Sequence, residues 1–169
     1  IVKERPVHIL INNTGGPAAG AIIEAEEEAF LNAFQQHLIC NHILTKGVVP
    51  GMKESGYGRI VNIISTSVKI PINNLGVSNT IRGAVASWAK TMANELGEFN
   101  ITVNNVLPGY TETARLKSLV HTLAAKADTT EENISNDITR SIPAKRFGTA
   151  GEIAAVAAFL ASPAASYVN

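Results

Sequence analysis

The chain has 169 residues, 46% hydrophobic and 17% charged, and its 14 basic side chains balance 14 acidic ones. That length and balance describe one compact domain with a real core and exclude a disordered chain. They also exclude a general nucleic-acid binder, which needs clustered Lys and Arg. Cys40 is the only cysteine, so no intrachain disulfide framework exists; in its apolar setting it reads as a small core hydrophobe. No apolar run is long enough to span a membrane, no secretory leader is read, and no metal-ligand cluster stands out. The expectation is a soluble cytoplasmic protein with neither a nucleic-acid nor a membrane partner.

In chain order, VHILIN (Val7–Asn12) is a short buried strand that runs into the turn NNTGGP. The acidic run EAEEEAF (Glu24–Phe30) reads as a helix first turn, where carboxylates meet the positive end of the dipole. A helical pattern follows over about 26–52, with Phe30, Phe34, Leu38, Ile39, Ile43, Leu44 and Val48 at helical spacing. ESGYG punctuates it, and RIVNII (Arg59–Ile64) is a second strand. A second long helix spans about 76–96, with Ile81, Val85, Trp88, Ala89, Met92 and Leu96 on one face; Trp88 serves either the core or an interface. ITVNNVLPG (Ile101–Gly109) is a third strand, a polar helix-prone segment covers about 113–139, and a last helix covers about 150–160. Asn62 and Asn104, inside strands, read as structural bridges between strands.

Alternating strands and helices imply βαβ crossovers and a doubly wound parallel sheet of the α/β class. A ligand on such a sheet lies beyond the carboxyl ends of the strands. Three polar strand ends then share one rim: Asn12–Gly16, Ser65–Ser67 and Pro108–Thr113. Residues 1–169 read as a single domain, yet an incomplete one. No Gly-rich phosphate loop precedes the first strand, and three strands leave apolar edges uncovered. The expectation is the middle and late part of a larger fold.

Four segments in order carry a family resemblance: INNTG (Ile11–Gly15), GRIVNIIS (Gly58–Ser65), VNNVLPGYTET (Val103–Thr113) and the run from Ile142 to Asn169. With them the chain resembles the short-chain dehydrogenase/reductases, from the middle of that Rossmann-like domain almost to its end. The resemblance implies NAD- or NADP-dependent hydride transfer to or from a small carbonyl or alcohol substrate; the region that selects between the two cofactors is not in these residues. It implies an active site of Asn, Ser, Tyr and Lys. The serine position falls on Ser65, the tyrosine position on Ser78, the lysine position on Arg82 and the asparagine position on His37. Arg82 keeps a positive charge that can hold a ribose but cannot release a proton. His37 titrates in the neutral range and could carry the proton; equally, it could be a helix histidine packed against its neighbours. Left to the residues alone, Ser78–Thr80 would be early-turn hydrogen bonding and Arg82 an ion pair. Cofactor contacts are implied for Asn13, Thr14 and Gly15 on the adenosine side, and for Pro108, Gly109 and Thr113 by the nicotinamide. The resemblance also implies a homodimer or homotetramer through the two long helices. With Tyr and Lys replaced, the alternative is an inactive family-fold subunit, cofactor-sensing or structural.

Overall fold

The computed structural model describes residues 5–169. They form two compact units: one runs up to Leu107 and includes Val156–Asn169, and the other is Pro108–Ala155.

In the first unit three parallel strands lie in chain order: β1 (Ile9–Asn13), β2 (Gly58–Ile63) and β3 (Ile101–Val106). Between β1 and β2 the chain is helical over α1 (Glu27–Phe34), a π turn (Gln35–Ile39) and α2 (Cys40–Ser55). Between β2 and β3 comes α3 (Gly76–Leu96). These are the expected crossovers of a parallel α/β sheet. As the acidic run suggested, Glu26 stands at the N-cap of α1, with Glu27 and Glu28 in its first turn. The helix expected over about 26–52 carries an inserted π turn in which the Cys40 N–H bonds to the Gln35 carbonyl, five residues back. α2 ends where ESGYG places a glycine. Gly56 takes φ 61°, its N–H bonds to Lys53 O, and the Tyr57 N–H reaches Met52 O.

The sheet face bearing Leu10, Ile60, Ile101 and Val103 packs against Val48 and Met52 of α2 and Ala89, Ala93 and Leu96 of α3. Trp88 packs half-buried against this cluster. α1 closes over the start of α3, where Ala33 and Phe30 meet Val77 and Ile81. At the amino end of β2, Arg59 is 1% exposed. It donates to the carbonyls of Gly58, Asn100 and Ser162, and its guanidinium lies 4.3 Å from the Tyr57 ring centroid. Ile9 and Ile11 on the edge strand β1 stay half exposed.

At the other end of the same sheet face the apolar layer gives way to amides. Asn12 Nδ2 donates to Asn62 Oδ1 at 2.8 Å, and Asn62 Nδ2 donates to Asn105 Oδ1 at 3.0 Å. Asn62 thus bridges strands as expected. Asn104 points elsewhere and donates to Val168 O.

The second unit contains α4 (Ala114–Lys126), α5 (Glu131–Ser141) and the start of α6 (Ala150–Ala161). The single polar segment expected over about 113–139 is broken at Asp128, which takes φ 48°. Thr113 and Thr130 cap the two helices by accepting from Leu116 N and Asn133 N. Thr149 and Glu152 cap α6 reciprocally: Thr149 N donates to the Glu152 carboxylate and Glu152 N donates to Thr149 Oγ1. Arg146 grips the same carboxylate through both terminal nitrogens.

That grip, followed by the Thr149 N–H, holds the Glu152 carboxyl at about 2, below its ordinary 4.5. Because the folded value is the lower one, this contribution is complete above the ordinary value and is lost as pH falls through about 2. A carboxyl-carbon NMR titration should place the Glu152 midpoint near 2. Arg146→Gln should return it toward the ordinary carboxylate range.

Candidate active site

The strands end level: Asn13 lies opposite Ile63, and Ile63 opposite Val106. Ligands of parallel α/β sheets bind beyond such ends. Thr14 follows β1 directly, and Ser65 stands two residues past β2, held in place when Ile64 N bonds to Val106 O.

Three of the residues singled out from sequence converge here. His37, 2% exposed, projects from the middle of the π turn, and its Nδ1 lies 2.5 Å from Thr14 Oγ1. Arg82, buried on α3, donates from Nη1 to Ile63 O at 2.8 Å and from Nη2 to Thr14 O at 3.5 Å. The guanidinium therefore bridges the carboxyl ends of β1 and β2. A guanidinium stays charged at any working pH, so it gives the site a fixed positive charge and directed donors.

Ser78 is buried one helical turn before Arg82. Its neighbours behave as early-turn residues: Asn79 Nδ2 donates to Ile72 O and Thr80 Oγ1 to Gly76 O. Ser65 is partly buried and caps a short 3-10 turn, its Oγ accepting from Ser67 N at 3.1 Å. That leaves the Ser65 hydroxyl its own proton to donate. Asn13, the last residue of β1, and Gly15, on the loop after it, are exposed, and a Cβ added at Gly15 would meet nothing within 4 Å. Pro108, Gly109 and Thr113 lie in the second unit, where the Thr113 hydroxyl serves as the α4 cap.

Sequence reasoning named Thr14, His37 and Arg82 separately and missed that Thr14 joins the other two. It also missed Asn12 and Asn105 in the amide ladder; their even spacing from Leu10 and Val103 was the available signal.

The chain's set of groups is thus three hydroxyls (Thr14, Ser65 and Ser78), an imidazole and a permanent cation, able to polarise an oxygen and move a proton. Similar proteins of known name are reductases. A family model described as enoyl-(acyl carrier protein) reductase matches residues 2–169. The NADPH-dependent reductase BacG of Bacillus subtilis is 33% identical over 161 residues, covering 95% of this chain and 62% of the relative. The 3-oxoacyl-(acyl-carrier-protein) reductase FabG of Vibrio cholerae is 33% identical over 165 residues, covering 96% and 62%. The crystal structure of YwfH, an NADPH-dependent reductase involved in bacilysin biosynthesis, superposes with a TM-score of 0.91 at 32% identity, covering 97% of this chain and 63% of that one. An actinorhodin polyketide ketoreductase solved with NADPH gives 0.90 at 32% identity, covering 97% and 64%. The chain therefore spans about 62% of the length of the curated relatives it matches.

Arg82→Ala should lower stability by about 2–3 kcal/mol, because two strand-end carbonyls lose a charged donor in a buried place. Urea unfolding reads this; an unchanged midpoint would remove the guanidinium as a bridge.

Proposed function

The chain belongs to the short-chain dehydrogenase/reductase family, and from that premise we propose that the protein is an oxidoreductase interconverting a small carbonyl compound and its alcohol with NAD or NADP. The observation that carries the reading is the meeting of His37, Thr14 and Arg82 at the level ends of β1 and β2, with Ser65 two residues past the end of β2. Reduction adds a hydride to the carbonyl carbon and a proton to its oxygen, and the dinucleotide, when bound, supplies the hydride. The relatives named as NADPH-dependent or solved with NADPH support that cofactor class.

This chain's residues do the rest. The Ser65 hydroxyl donates to the substrate oxygen and draws charge from the carbon. His37 passes the proton to that oxygen, directly or through water, and takes it back in oxidation; such groups contribute factors of about 10² to 10⁴. Ser78 is too weak an acid to replace a tyrosine phenol and serves as a further hydroxyl near the reacting oxygen. Exposed Asn13 and Gly15 offer an amide and open backbone to the dinucleotide, which fits a ligand lying along the loop after β1. Donors of Arg82 turned to the ribose diol would complete its hold. Leu31, Phe34, Ile43 and Leu44, apolar and exposed along the first helical stretch, support pairing with a second copy.

A second reading has one observation in its favour: Arg82 donates to two main-chain carbonyls, as a structural residue does. It makes the protein a cofactor-binding or assembly subunit without turnover.

The test is a fluorescence titration of the full-length protein with NADH and NADPH, followed by a panel of ketones. Saturable binding with ketone reduction is expected. Arg82→Ala should weaken binding, and His37→Gln should lower kcat by about 10² or more. Binding without turnover would favour the second reading, and no binding at all would defeat the proposal. Sedimentation velocity on the same sample should show a dimer or tetramer; a monomer would remove the assembly claim.

A further inference from the structure

Beside the first turns of α3 lies a cavity of about 480 Å³ that none of Thr14, His37, Ser65, Ser78 and Arg82 lines. Its volume falls in the range of small-molecule sites, about 300–1,000 Å³. Gly76, Thr80 and Gly83 form one wall; four and then three residues apart, they share a face of α3. Ser78 and Arg82, four apart, share a different and buried face, so the cavity and that pair lie on different sides of the helix. Ile22, on a 3-10 turn before α1, and Val68, Pro71 and Ile72, between β2 and α3, supply apolar walls. Exposed Asn73 and Asn74 add side-chain amides at the edge. Among the described residues that line the cavity none is charged.

The walls are tied in place by the chain itself. Gly20 N donates to Asn74 O at 2.8 Å, and Gly20 forms an isolated parallel bridge with Leu75, which joins the two loops. Asn79 Nδ2 donates to Ile72 O at 2.9 Å and joins the second loop to α3. Gly76 lets Ile22 lie against the helix, since a Cβ there would overlap the Ile22 side chain. At Gly83 the reverse holds: an added Cβ would meet nothing within 4 Å, so the space beside it is open. A preformed site of this kind loses little to ordering when it binds.

The lining selects by charge. An ion would leave its hydration for walls that carry no opposite charge, a cost nothing there offsets. A neutral body gains by burying apolar area, and the two amides can serve one polar group on it. Ile23 and Ile70, chain neighbours of lining residues, are 92% and 76% exposed and add apolar surface. We propose that this cavity is a second ligand site, for a neutral small molecule with an apolar body and one hydrogen-bonding group such as an amide. It stands apart from the hydride-transfer reading, and its test needs neither turnover nor cofactor.

The probe is N-butylbenzamide, which is neither ketone nor alcohol and so is no substrate of the proposed reaction. Full-length protein with carbon-13-labelled isoleucine methyls is titrated with it, and Ile22→Val and Ile72→Val identify their signals by loss. Saturable shifts of the Ile22 and Ile72 methyls are expected, with Ile60 and Ile101 of the sheet core undisturbed. 4-Butylbenzoate, a charged molecule of similar body, should bind about tenfold more weakly or worse. Gly83→Leu fills the open space with a residue that suits a helix and should weaken the probe about tenfold or more. Ile72→Ala removes apolar wall and should also weaken it; it decides the matter if Gly83→Leu fails to fold. Still Ile22 and Ile72 methyls would overturn the proposal, as would equal affinity for the benzoate or unchanged affinity in both variants. Displacement of the probe by NADPH would assign the cavity to the cofactor instead. Affinity that falls as protein concentration and oligomer size rise would show a second copy covering this face, and would equally defeat the proposal. The proposed function can fail through lack of NADPH binding while the Ile22 and Ile72 shifts still decide this site.

Discussion

The register of three parallel strands is the constraint on which the rest of the first unit depends. Parallel pairing fixes which residues stand level, and a slip of one residue would turn every side chain to the other face. Apolar contact alone is a weak register lock here, since Leu10, Ile60 and Val103 could trade places with other apolar neighbours at modest cost. The amide ladder is stricter. Asn12, Asn62 and Asn105 each belong to the helix-covered face, and Asn62 uses both ends of its amide to hold the strands beside it. A slip would bury amides without partners, at about 1–3 kcal/mol each. With the ladder in place, Asn13, Ile63 and Val106 fall level, and Thr14 and Ser65 follow within two residues of the strand ends.

Two buried arginines work at opposite ends of β2. Arg59 at the amino end satisfies itself on the carbonyls of Gly58, Asn100 and Ser162. Arg82 approaches the carboxyl end from α3 and reaches Ile63 O and Thr14 O. Strand-end carbonyls lie outside the ladder and need donors, and a guanidinium with five N–H groups in one plane can serve several at once. Lysine presents three donors around a single point and cannot span two strand ends in the same way. The arginine at position 82 therefore serves the local architecture by reaching two strand ends at once.

The strands, α3 and the parallel order were legible because they rest on local periodicity and on punctuation such as ESG and Pro-Gly. α3 begins and ends at Gly76 and Leu96, the bounds that its apolar stripe marks. The first helical stretch was legible as helix but not as three pieces. A π turn changes the spacing by a single residue, well within the tolerance of a stripe that already includes Leu38 and Ile39 side by side. The break at Asp128 was hidden because aspartate tolerates positive φ without being a strong stop signal. At the site, residue types and positions were visible, but partnerships were not. Thr14 and His37 are 23 residues apart and joined by a contact that no spacing rule reports.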